Sequence, residues 1–135
     1  MMPTMNREIV PPSLAPPAAQ YAHGVLIEQP QRWVYTAGVV PVAPDGSIPS
    51  DVRDQAETVW GNIGLILAEA GMTPSDIVSV TTYVVAGDDL ARSLPVVMGA
   101  RDQALAGHRA ASALIPVPAL ARPEWKVEIA VVAAR

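Results

Sequence analysis

Cysteine and phenylalanine are both absent from this chain. Without cysteine there is no disulfide, no thiolate nucleophile and no Cys-ligated metal. Without phenylalanine, and with only three Trp and three Tyr among residues that are half apolar, the core has to be built from Val, Ile, Leu and Ala. Cationic runs are missing as well: 9 Lys and Arg stand against 13 Asp and Glu, a net charge of −4. That balance argues against a nucleic-acid partner, whose phosphates require a basic patch, and it gives no support for an acidic membrane surface. No segment approaches the ~20 apolar residues of a membrane span. The opening "MMPTMNREIVPPSLAPPAAQ" lacks the apolar centre of a signal peptide. A cytoplasmic enzyme or binding protein is the expectation. Phosphate cradles of the P-loop or G-x-G-x-x-G type are absent, as is a G-x-S-x-G elbow. The two histidines lie far apart and there is no Cys, so a dedicated metal site is not expected.

What is present fits one domain of 135 residues. Residues 1–20 hold five of the fourteen prolines and read as an extended N-terminal arm; the first five are expected to be mobile and removable. Residues 21–135 form the body. Val25–Glu28 and Trp33–Ala37, separated by "EQPQ", read as a hairpin, and Asp45-Gly46 as a turn. From Asp51 to Ala70 apolar residues recur at spacings of three and four, which predicts a helix capped by Ser50 and stopped at Gly71. Gly61 and Gly64 inside it suggest close packing on a sheet. Ile77–Val85 is a β-branched strand. A second helix is expected from a Ser93 cap to about Ala106, with Pro95 in its first turn. "ASALIPV" and "WKVEIAVVAA" are the last strands, and Pro116 marks the first of these as ending, bulged or at an edge. Helices on one side of a mixed sheet make an α+β layer fold. Val78, Val80 and Val84 exceed what two helices alone would cover, which points to a further partner surface.

Few residues can carry chemistry. Glu128 interrupts the apolar terminal strand and shares a face with Lys126 and Ala130. It is either a solvent-facing carboxylate on a half-exposed strand or a pocket carboxylate that orients water. His23 titrates near neutral pH when it is unperturbed; as a lone histidine it is equally a surface residue. Tyr21 is a packing residue or a hydroxyl donor. Arg109 and Arg122 flank the last strands, either simply solvated or able to clamp a carboxylate.

The segments "QYAHGV", "VYTAGVVPVAPDG", "ILAEAGMTPSDIVSVTTYV", "LPVVMGARDQAL" and "KVEIAVVA" occur in the order and spacing of the Rid family, also called the YjgF or L-PSP family, which the chain resembles from about Tyr21 to Ala134. The resemblance implies a chorismate-mutase-like α+β fold, with two helices on one face of a mixed sheet. It also implies a homotrimer with a barrel-like core and clefts between subunits. The implied activity is hydrolysis of small enamines or imines to ammonia and a 2-oxo acid, with no metal or organic cofactor. In such proteins an Arg of "PARS" binds the substrate carboxylate and a Glu of "VEIE" positions water. Glu128 falls on that Glu, Tyr21 on the family's Tyr, and Gly38, beside Ala37, on its Gly. His23 replaces a Gln, Met98 an Asn, and Ala130 the second Glu. An ungapped match puts Ser112 on the Arg, with Ala113 and Leu114 following. A single neutral hydroxyl thus stands where a bidentate cation is usual. Either the substrate differs or another Arg reaches it. Arg109, three residues before Ser112, points to the opposite face of an ideal strand, whereas Arg122 lies on a freer loop. A non-catalytic small-molecule binder or scaffold is the competing expectation, and ribonuclease activity is disfavoured by the acidic charge.

Overall fold

The computed structural model describes residues 6–135, so the expectation for residues 1–5 lies outside the described residues. The arm is tied down rather than free. Asn6–Ile9 forms strand β1 and pairs antiparallel with β2, Gly24–Ile27. This corrects the expected hairpin. The strand β3, Trp33–Tyr35, does not return along β2 but pairs with the terminal strand β6, Val127–Ala134. The physical reason lies in the "EQPQ" link. Pro30 has no N–H to donate across a hairpin, Gln29 sits at a positive φ of 50°, and the N–H groups of Gln31 and Arg32 go instead to the Arg135 carbonyl.

The main sheet has the order β3-β6-β4-β5, where β4 is Ile77–Val85 and β5 is Ala111–Val117. β5 runs parallel to β4, and β6 runs antiparallel to it on the other side. The last two strands therefore flank β4 without touching each other. Pro116 lies on the edge strand, where a missing donor is tolerated.

Helix α1 spans Val52–Glu69 and packs on β6; helix α2 spans Leu90–Leu105 and packs on β4 and α1. Asp51, not Ser50, caps α1: its carboxylate accepts from the Asp54 N–H at 2.8 Å. α1 stops at Ala70, and Gly71 follows at a φ of 71°. The second helix starts a turn earlier than expected. The Asp89 carbonyl accepts from the N–H groups of Arg92 and Ser93, so Ser93 is not the cap and Pro95 lies in the second turn on an exposed face. The Asp45-Gly46 turn is present, with Gly46 at a φ of 88°. The Asp45 carboxylate accepts from the Ser47 hydroxyl and N–H, and these bonds hold its pKa below the usual carboxylate value.

The core lies between helices and sheet. It contains Ala56, Val59, Ile63 and Leu67 of α1, Val97 of α2, and Val80, Val84, Ile129 and Val131 of the strands. Val78, Val80 and Val84 are all buried within the single chain, which overturns the idea that they need a further partner. An uncovered apolar surface lies on the other sheet face, with Trp33, Tyr35 and Ile115; Leu65 and Ile66 of α1 are exposed as well. Trp33 and Tyr35 stack there at 6.2 Å, and Tyr35 is 73% exposed. Gly61 and Gly64 do not pack on the sheet either, because a Cβ at either would meet nothing within 4 Å. Each is a helix-interior glycine with free space. Gly61→Ala and Gly64→Ala are each expected to stabilise the fold by about 0.5–1 kcal/mol, read as a rise in denaturation midpoint at unchanged m-value.

One buried polar side chain joins the layers. Gln55 of α1 is fully buried. Its Nε2 donates to the carbonyls of Pro49 and Glu124, each at 2.9 Å, and its Oε1 accepts from the Lys126 N–H at 2.8 Å. It fixes the chain just before β6 and so sets where Glu128 emerges.

Candidate functional site

Alternation along β6 sends Val127, Ile129 and Val131 under the helices and Glu128, Ala130 and Val132 to the open face. Opposite them the chain leaving β3 bulges. Thr36 bonds Val131 through its N–H and its Oγ1, whereas Val39 exchanges both backbone bonds with Ile129. Ala37 and Gly38 thus stand across from the single residue Ala130, the two-against-one count of a β-bulge. The Thr36 hydroxyl, donating to the Ala37 carbonyl at 2.7 Å, holds the bulge.

The bulge brings the Gly38 backbone against the Glu128 side chain. A Cβ on Gly38 would overlap the Glu128 carboxylate, with the carboxyl carbon at 2.7 Å. Glycine is required here for space rather than for its φ. The Glu128 carboxylate is half-buried, and no described residue gives it a hydrogen bond or ion pair. It faces Tyr83 across β4. A carboxylate held beside exposed backbone and not consumed by protein donors is free to accept a hydrogen bond from water or a ligand.

The other candidates gather elsewhere, at the β5 edge. Tyr21 and His23 flank Ala22, which bridges to Ala111 and donates to the Ala110 carbonyl. Their rings meet edge to face at 5.9 Å. His23 Nε2 lies 2.8 Å from the Ala15 carbonyl. A carbonyl only accepts, so Nε2 carries the hydrogen and Nδ1 is the nitrogen left to exchange a proton. Arg109 is committed to the arm: it donates to the Tyr21 carbonyl at 2.6 and 3.2 Å and pairs with Glu8 at 3.4 Å. It is not a free clamp. Arg122 is exposed on the loop before β6 and pairs with no described residue. Met98 is half-buried on α2, and Leu114 packs against the core from β5.

Ser112 does not share a face with Glu128. It pairs with Val80, on the helix side, whereas Glu128 pairs with Tyr83 on the open side. The two lie two strands apart, roughly 10 Å, and about 10 Å apart along the strands by ordinary sheet spacings. On Glu128's own face, β5 presents Ala113 and Ile115. The side chain that does meet Ser112 is Arg101 of α2, with Nη1 3.4 Å from Oγ. The sequence reading did not single Arg101 out. Its signal was its place between Val97 and Leu105, at spacings of four, on the buried stripe of α2. A pocket of about 440 Å³ lies away from both groups, among the starts of α1 and α2, Val84, Val96 and Lys126, and holds none of these residues. Among the described residues no cluster of His, Cys, Asp and Glu is suited to a metal ion, and no helix is long and apolar enough to cross a membrane.

Two helices on one face of a mixed sheet have close structural counterparts. A Yersinia pestis protein of the conserved Rid family superposes with a TM-score of 0.84 at 29% identity, over 96% of this chain and 98% of that one. The Escherichia coli protein TdcF with bound serine gives 0.68 at 26% identity, over 96% and 92%. The family model described as Endoribonuclease L-PSP matches residues 12–135, and the chain belongs to this Rid/YjgF family. Among curated relatives, the reactive intermediate deaminase TdcF of E. coli K12 is 39% identical over 59 residues, 43% of this chain and 46% of that protein. The 2-iminobutanoate/2-iminopropanoate deaminase of E. coli K12 is 33% identical over 85 residues, 62% and 61% respectively. The chain thus matches about half to two thirds of the length of these relatives.

Proposed function

We propose that this protein hydrolyses a small imine or enamine in a cleft that two copies of the chain complete. The observation that carries the reading is the Glu128 carboxylate, unpartnered and fixed against the Gly38 bulge on a sheet face that no described element covers. The names of its relatives, deaminases of reactive intermediates and of 2-imino acids, point to the same chemistry.

In this mechanism Glu128 accepts a hydrogen bond from water and takes its proton as the oxygen attacks the C=N carbon. The proton passes to nitrogen to give a carbinolamine; its hydroxyl proton is then taken by Glu128 and given to the amine as the C–N bond breaks and the C=O bond forms, releasing ammonia and a carbonyl product. Tyr21 serves as a hydroxyl donor. His23, whose Nε2 is engaged by the Ala15 carbonyl, has Nδ1 as its other ring nitrogen for a hydrogen bond. One chain holds Glu128, Ala37 and Gly38 on one face and Tyr21, His23, Ser112 and Leu114 at the β5 edge, with Met98 on α2. A substrate of a few atoms cannot span that separation, so the edge of a second copy has to meet the open face. The exposed Trp33, Tyr35 and Ile115 supply an apolar surface for it, and a homotrimer closes such a head-to-tail contact. With Ser112 in place of Arg, a substrate carboxylate is held less tightly than in Arg-bearing relatives, by the ~1.5–3 kcal/mol of a charged hydrogen bond. That change shifts specificity toward other substrates.

The same change favours a second reading, a binder or scaffold that keeps the cleft without turnover. Ribonuclease action, named in the family's description, is disfavoured by the net charge of −4. The two main readings separate in an assay of ammonia and carbonyl product from freshly generated 2-iminobutanoate and from a neutral imine, run beside light scattering. Catalysed release by an oligomer is expected. Ligand binding without release on either substrate selects the binder, and a monomer at micromolar concentration removes the two-copy cleft.

A further inference from the structure

Arg101 is the one buried cation among the described residues, 5% exposed on the sheet-facing stripe of α2. A guanidinium there is costly unless it is paired, and an apolar residue would fill the position more cheaply. Its pairing is incomplete. Nε donates to Asp102 Oδ1 at 3.0 Å, and Nη2 lies 3.0 Å from the same oxygen as an ion pair without hydrogen-bond alignment. Nη1 points to the Ser112 Oγ at 3.4 Å. Arginine only donates. The Ser112 oxygen therefore acts as acceptor toward α2, and its own hydrogen is turned away from the helix. No described residue accepts that hydrogen. A hydroxyl whose oxygen accepts from a cation is a stronger donor than a free one.

We infer that Arg101 positions and polarises the Ser112 hydroxyl to receive a single carboxylate of the ligand, so that the positive charge of the usual strand Arg is retained one layer deeper, on α2. This rests on the cleft reading above and adds to it the ligand class: a small monocarboxylate such as a 2-oxo or 2-imino acid, bound more weakly than by a direct guanidinium but still preferred over its neutral analogue. Arg101 does not itself touch the ligand; it is a positioning residue. Arg109, held by Tyr21 and Glu8, and Arg122, on an exposed loop, have no comparable path to Ser112.

The test compares 2-oxobutanoate with 2-oxobutanamide as probes of the intact oligomer, by calorimetry or competition. Wild type is expected to bind the acid at least about tenfold more tightly, the size of effect a charge-assisted hydrogen bond gives. Ser112→Ala and Arg101→Met should each abolish that preference, Arg101→Met should leave amide binding unchanged, and the double variant should lose no more acid preference than either single one. Arg101→Lys should retain part of it. In turnover, KM for a carboxylate substrate should rise with kcat little changed, a split that a purely structural tie between α2 and β5 would not produce. Thermal melts identify any variant that simply unfolds, and Ser112→Ala keeps the test decisive if Arg101→Met does. Equal acid preference in Arg101→Lys, Ser112→Ala and wild type overturns the inference, as does a wild type with no preference. Acid binding that depends on Arg101 without turnover of any imine removes the hydrolase reading and leaves this one standing. Equal turnover of acidic and neutral imines does the reverse.

Discussion

Glu128→Gln is expected to lower turnover about 10²–10⁴-fold, the usual loss when a general acid or base is removed. Oligomer mass and ligand binding should be nearly unchanged. Gln is close in shape, and no described residue pairs with the carboxylate for the lost charge to strand. Gly38→Ala makes the same point from the other side. The new methyl and the carboxylate cannot occupy one place, so the side chain must swing away and turnover should fall without a change at Glu128 itself. Normal turnover by Glu128→Gln would make the carboxylate a surface group, and the water-activation scheme would fall with it.

Gln55→Leu is expected to be the most destabilising single change away from that site. It removes three hydrogen bonds in a fully buried setting and leaves the Pro49 and Glu124 carbonyls and the Lys126 N–H without their partner. Each stranded group costs ~1–3 kcal/mol, partly relieved where the exposed 122–126 loop can admit water. A net loss of about 3 kcal/mol or more follows, roughly 10 °C in midpoint for a domain of this size. Chemical denaturation with unchanged m-value checks it. A loss below about 1 kcal/mol would show that the loop re-satisfies itself. Because these bonds set the start of β6, the variant should also weaken any activity that depends on Glu128.

What could be read from the sequence was local. The apolar spacing of α1, the β-branched run of β4, the bounds of β5 and the Gly71 stop all follow from neighbouring residues. Partner choice does not. β1 was hidden in a Pro-containing arm, and β3 looked like the mate of β2 because the two are close in the chain, whereas its partner lies at the far end. The glycines of α1 read as packing sites although they face open space, since the sequence does not show which way a glycine faces. Gln55 and Arg101 looked like surface residues by type. Only their places on the buried stripes, Arg101 between Val97 and Leu105 and Gln55 beside Ala56 and Val59, set them apart. For the site, Glu128 stood out by interrupting an apolar strand and Gly38 through a family motif, and the geometry places them in contact. Ser112 was found too, but its face depends on register, and an ungapped match cannot supply that.

The strand order carries a consequence for synthesis. β6 lies between β3 and β4, so neither of the earlier strands has its central neighbour until the last strand has left the ribosome. Until then the nascent chain can pair β1 with β2 and β4 with β5, while the edges of β3 and β4 meant for β6 stay open. Closure of the sheet, and with it the meeting of Gly38 and Glu128, waits for β6 and joins segments some ninety residues apart, a long-range contact of the kind that slows folding. During that interval the chain carries unpaired strand edges of the kind that chaperones recognise.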